Sequence, residues 1–86
     1  MYGKQTETAI AALACLAEAY DGGKTRLSAA HIAKKRMLQP PSVAKSLTTL
    51  SQAKLVQGIP GPGGGYWLAK HPSEITLYDA FVLFER

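Results

Sequence analysis

The side chains able to do chemistry in this 86-residue chain are mainly cations, amides and hydroxyls, and most lie in its middle. Lys34, Lys35 and Arg36 are consecutive, and Gln39, Pro41, Ser42, Lys45 and Thr49 follow closely. Ammonium and guanidinium groups supply sequence-independent attraction for phosphate. A lysine in the position of Lys45 can also reach guanine O6/N7, while Gln39 and Ser42 can bond a base edge or phosphate, or cap a helix. Downstream, "GIPGPGGGYW" (58–67) packs five glycines and two prolines into ten positions before two aromatics. Gly61, Gly63, Gly64 and Gly65 let backbone N–H groups approach a phosphate closely, and Pro60 and Pro62 limit the disorder lost on binding.

Other chemistries lack their residues. His31 and His71 have no carboxylate or second histidine at ligand spacing, and no Ser-His-Asp or Cys-His set can be assembled. A nucleotide phosphate loop needs Lys and Ser/Thr after its last glycine, where Tyr66 and Trp67 stand. The single cysteine, Cys15, can form no internal disulfide, and its Ala-rich surroundings read as core. The expectation is a non-enzyme with no metal and no cofactor in this chain.

Charge sharpens the reading. The net charge of +4 hides an asymmetry: all six acids lie outside residues 22–73, which hold eight of the ten lysines and arginines. Such a segment gives up solubilising ion pairs and favours a polyanion, with nucleic acid the first candidate. No stretch reaches transmembrane length, so no membrane partner is expected. The apolar run after Lys4 imitates a signal peptide weakly, with one cation before it and Glu7 against it, and reads better as an amphipathic helix. A cytoplasmic location is expected.

Positioning these residues requires a few short elements. Ile10, Leu13, Leu16, Ala17 and Tyr20 recur at helical steps, predicting a first helix over 6–20, capped by Thr6 and ended by Gly22 or Gly23. Arg26 and Leu27 are extended at best. Ser28 caps a second helix over 29–36, with His31 in the place of the capping-box glutamate. A third helix, 39–53, starts on Pro40 and Pro41, which suit a first turn. It buries Val43, Leu47 and Leu50, and turns Ser42, Lys45, Thr48, Thr49 and Gln52 outward. Strands at 55–59 and 66–69 form a hairpin in which Tyr66 packs inward and Trp67 outward. Thr76 and Asp79 box a last helix whose Leu77, Phe81 and Phe84 form an apolar stripe.

Helix, helix, tight turn, helix, hairpin is the order of a winged helix-turn-helix, mainly α with a small β-hairpin, with its third helix in the major groove of double-stranded DNA. "GPGGGYWLAKHPSEITLYDA", preceded by "LSAAHIA" and "LTTLSQAKLV", resembles the DNA-binding domain of the Rrf-two family of bacterial transcription regulators across nearly the whole chain. The resemblance implies a homodimer on a palindromic operator, with sensory cysteines, where members have them, in a region C-terminal to a domain spanning 1–86. Promoter occlusion, and so repression, is the expected outcome. Where members usually carry an arginine before the wing glycine, this chain has Pro60. Gln5 and Glu7 stand near a usual first-helix cation, Met37 at a frequent glycine, and Pro41, Ser42 and Ala44 in a Ser-Tyr-x-Glu motif.

The 77–84 stripe, with Phe81 and Phe84, exceeds the apolar surface that so small a domain is expected to cover by itself. It is the expected dimerisation surface. The rival reading is a winged-helix module that uses this stripe to bind another protein.

Overall fold

The computed structural model describes residues 3–85. Helix α1 (Lys4–Glu18) is followed by α2 (Ala29–Arg36), α3 (Pro40–Gln52), strands β1 (Val56–Ile59) and β2 (Gly65–Leu68), a single 3-10 turn (Pro72–Glu74) and α4 (Leu77–Phe84). Element types and order agree with the sequence reading. Ala9, Ala12 and Leu16 of α1, Ile32 and Ala33 of α2, and Val43, Leu47 and Leu50 of α3 meet in one core, which Leu55, Val56, Leu68 and Ala80 complete. Cys15 lies inside it, fully buried.

The start of α1 corrects the sequence reading. Its N-cap is Gly3, not Thr6. Thr6 sits inside the helix, fully buried, and its hydroxyl donates to the Glu85 carboxylate, which also accepts from the Gly3 N–H at 2.8 Å. An acid distant in sequence thereby satisfies a donor at the positive end of α1 and ties α4 to it. The cap ending the helix is Ala19 at φ −94°; Gly22 and Gly23, at φ 82° and 93°, belong to the loop beyond.

The Thr6 hydroxyl, and secondly the Gly3 N–H, hold the Glu85 carboxyl below its ordinary range. A depressed acid stabilises the fold above its unfolded pKa and loses that contribution as pH falls through the folded one. The gap in melting temperature between wild type and Glu85→Ala is therefore expected to be largest at neutral pH. It should close on acidification through and below the ordinary glutamate range.

Ser28 caps α2 by accepting from the His31 N–H at 3.0 Å, so the first half of the expected capping box is present. At its other end Met37 adopts φ 56°, ψ 47°, and the Leu38 N–H closes onto the Ala33 carbonyl at 2.8 Å. A left-handed conformation costs a residue with a Cβ about 1–2 kcal/mol. Met37 is 93% exposed and has little packing to lose. Met37→Gly is expected to stabilise the domain by about 0.5–1 kcal/mol, after the extra chain entropy of glycine is subtracted. Thermal melting checks this, and an unchanged or lower melting temperature would refute it.

Strand β1 starts one residue later than expected and ends where expected, β2 is shifted one residue towards the N-terminus, and the two pair antiparallel with Gly58 opposite Tyr66 and Ile59 opposite Gly65. The segment expected to be extended at best joins them. Leu27 and Tyr66 exchange backbone hydrogen bonds of 3.0 and 2.8 Å, adding a one-residue third strand to the hairpin. The Tyr66 ring lies over Gly58 and packs towards the core, while Trp67 lies against Gly23 on the other face.

Helix α4 carries the full expected box: Thr76 accepts from the Asp79 N–H at 3.2 Å, and Asp79 accepts from the Thr76 N–H at 2.8 Å. Its apolar face differs from the expected one. Ala80 is buried, and Leu83 and Phe84 pack against the domain's own core. Leu77, Tyr78 and Val82 are the apolar residues it leaves exposed.

Candidate nucleic-acid interface

Helix α3 is amphipathic as its spacing requires. Val43, Leu47 and Leu50 are fully buried, and Pro41, Lys45, Thr48 and Gln52 are exposed on the far side. Ser46, on the inner side, is also buried; the Gln5 side chain donates to its hydroxyl and, at 3.3 Å, to the Ser42 carbonyl, linking α1 to α3. The Thr48 and Thr49 hydroxyls donate back to the carbonyls of Ala44 and Lys45, at 3.0 and 3.3 Å, leaving oxygen lone pairs available. Lys45 has no carboxylate partner among the described residues.

Gln39, the N-cap of α3, makes no side-chain capping bond, so its amide is uncommitted and exposed. Ser42 is partly buried. Of the four leading positions, Gln39 to Ser42, the two prolines lack N–H groups, so only the Gln39 and Ser42 N–H groups remain for an anion among the described residues. The α3 N-terminus is thus a weaker phosphate site than its dipole alone suggests.

The helix and the hairpin face each other. Thr48, Ser51 and Gln52 of α3, Ser28 at the head of α2, and Gly61, Gly64 and Tyr66 of the hairpin line one open groove of about 420 Å³. The C-terminal part of the exposed face of α3 and the wing hairpin therefore lie on one side of the molecule, with Gln39, Pro41, Ser42, Lys45 and Thr49 outside the groove's lining.

The wing glycines divide by physical role. Gly61 and Gly63 have φ 84° and 79°, and a Cβ on either would meet open space. Residues 61–64 form a turn closed by a 3.0 Å bond from the Gly64 N–H to the Gly61 carbonyl, with Pro62 and a left-handed Gly63 in its centre, the pattern of a type II turn. Gly64 and Gly65 lack side chains for internal reasons: a Cβ on Gly64 would lie 2.0 Å from the Ile59 carbonyl oxygen, and one on Gly65 within 3.1 Å of the Leu27 backbone.

The basic run at the end of α2 is also divided. Arg36 lies 3.0 Å and Lys35 3.8 Å from the Glu18 carboxylate of α1, while Lys34 is exposed and has no carboxylate partner among the described residues. The sequence reading passed over Arg26, which sits over Trp67 beside the wing tip. Its signals were its place in the acid-free basic segment and the extended conformation expected of Arg26 and Leu27.

A helix-turn-helix whose third helix presents a polar face beside a glycine-tipped hairpin defines the winged helix-turn-helix class. The sequence model of the Rrf2 family, described as an iron-dependent transcriptional regulator, matches residues 2–86, and the chain belongs to that family. It is 38% identical over 77 residues to the HTH-type transcriptional regulator IscR of Cereibacter sphaeroides, covering 90% of this chain and 50% of that protein. It is 42% identical over 60 residues to the HTH-type regulator BadM of Rhodopseudomonas palustris, covering 70% and 38%. The solved IscR of T. potens superposes with a TM-score of 0.88 at 27% identity, over 100% of this chain and 61% of that one. CymR, the global cysteine regulator of B. subtilis, gives 0.89 at 26%, over 99% and 64%. The chain spans between 37% and 50% of the length of its curated relatives.

The family description raises the question of iron. Cys15, the only cysteine, is sealed in the core, and among the described residues no three His, Cys, Asp or Glu side chains converge. Residues 3–85 do not fit a bound iron or cluster.

Proposed function

We propose that this domain binds double-stranded DNA sequence-specifically as part of a transcription regulator. Helix α3 enters the major groove and the wing rests on the flanking backbone or minor groove. The observation that carries the reading is the groove shared by α3 and the hairpin, which lets one duplex touch both. Lys45, Gln39, Pro41, Ser42 and Thr49 meet base edges or adjacent phosphates. Gly61 and Gly63 bring bare backbone to the sugar-phosphate strand, with Gly64 and Gly65 shaping the tip that presents it. Lys34 adds attraction at the rim, with a smaller share from Lys35 and Arg36 because Glu18 partly neutralises them.

The regulator acts in the cytoplasm as a homodimer on a palindromic operator and represses by blocking a promoter. No helix among the described residues is long and apolar enough to cross a membrane. Dimerisation uses α4, with Phe81 and Phe84 shaping a surface to which the exposed Leu77, Tyr78 and Val82 contribute area.

Selection of duplexes from a random pool tests the proposal. A recurrent motif is expected, with log affinity falling by about 0.9 for each phosphate neutralised per unit of log salt. Absence of enrichment together with salt-insensitive binding would overturn it.

A further inference from the structure

The hairpin brings no charge to its own tip. Residues 55–69 read LVQGIPGPGGGYWLA, without an acid or a base. A cation reaches it from the segment before α2. Asp21 accepts from the Lys24 and Thr25 N–H groups, at 2.9 and 2.7 Å, and from the Thr25 hydroxyl at 2.6 Å. Leu27 is paired with Tyr66, so the backbone at Arg26 is held on both sides. The Arg26 guanidinium carbon lies 5.2 Å from the centre of the Trp67 ring, and Nη1 lies 3.5 Å from the Gly63 carbonyl oxygen. Arg26 is exposed and, unlike Lys35 and Arg36, has no carboxylate beside it among the described residues.

We propose that Arg26 is the wing's phosphate contact. Side chains alternate along a strand, so Trp67 and Arg26 occupy the face of the hairpin opposite Tyr66, which lines the groove with α3. A guanidinium resting on an indole, with one Nη1 N–H turned to the Gly63 carbonyl, keeps its other N–H donors free to meet phosphate oxygens. Because the side chain is already seated on Trp67, it loses less freedom on binding than a lysine on a flexible stem. The contact therefore lies on the backbone outside the α3 groove. It extends the footprint on the side away from the reading helix and adds affinity without base preference.

This inference rests on the duplex binding proposed above, and the test separates the two. The 86-residue chain, Arg26→Ala and Arg26→Lys are titrated at several salt concentrations against a selected duplex and a scrambled one, with circular dichroism melts alongside. Arg26→Ala is expected to weaken both duplexes by about three- to tenfold and to reduce the salt slope by about 0.9 per bound protomer. Arg26→Lys should keep the slope while losing part of the affinity, a pattern that unfolding cannot produce. Wild-type affinity and slope in Arg26→Ala would overturn the Arg26 assignment alone, and so would a loss confined to certain base sequences. A wild-type chain without duplex affinity would overturn both proposals.

Discussion

Lys45→Glu is expected to lose about a hundredfold or more in duplex affinity while melting within a few degrees of wild type. The two halves of this expectation have separate causes. Lys45 is exposed on α3 and holds no ion pair among the described residues, so the fold does not depend on its charge. Surface changes of that kind usually shift stability by no more than about 0.5 kcal/mol. The duplex, in contrast, loses a cation and gains an anion on the face turned towards it. Removal of one contact costs about 1–2 kcal/mol, and reversal of the charge adds repulsion of similar size. Fluorescence anisotropy on a labelled operator, with melting curves as control, measures both. Affinity within threefold of wild type would show that α3 does not read the duplex.

Gly65→Ala is expected to destabilise the domain by about 3 kcal/mol, lowering the melting temperature by roughly 12–24 °C. Gly65 has φ 140°, which a residue with a Cβ rarely adopts, and strain of that kind costs about 1–3 kcal/mol. The added methyl would stand 3.0 Å from the Leu27 carbonyl carbon, and both belong to backbone that cannot swing aside. Overpacking of this sort adds about 1–3 kcal/mol. Relief requires Leu27 to part from Tyr66, which also unseats Arg26. Gly61→Ala, with open space at its Cβ, should show only the smaller cost of its left-handed backbone. Equal melting temperatures for the two variants would refute this division of the wing glycines.

Much of the frame was legible because it rests on local rules. The three-and-four spacing of Val43, Leu47 and Leu50 predicted the buried face of α3, and all three are fully buried. Ser28, and Thr76 with Asp79, cap the helices they were expected to cap. Thr6 misled for a physical reason: a threonine before an apolar run can cap a helix, yet here a better acceptor, Glu85, comes from the other end of the chain. Nothing local encodes a partner 79 residues away.

By itself the sequence determined the element types and their order, the acid-free basic middle, the polar face of α3 and a hairpin tip made of glycine and proline. Each depends on periodicity, composition or a neighbour within a few residues, and those forces act at short range along the chain. The tertiary structure alone decided which cations are free. It set Glu18 against Lys35 and Arg36, left Lys34 and Lys45 without a carboxylate partner among the described residues, and brought Arg26 onto Trp67 at a wing with no charge of its own. It also separated Gly61 and Gly63, open to a partner, from Gly64 and Gly65, which make room for the protein's own backbone. Charge pairing and steric room depend on distances between segments far apart in sequence, and only the packed core sets those distances.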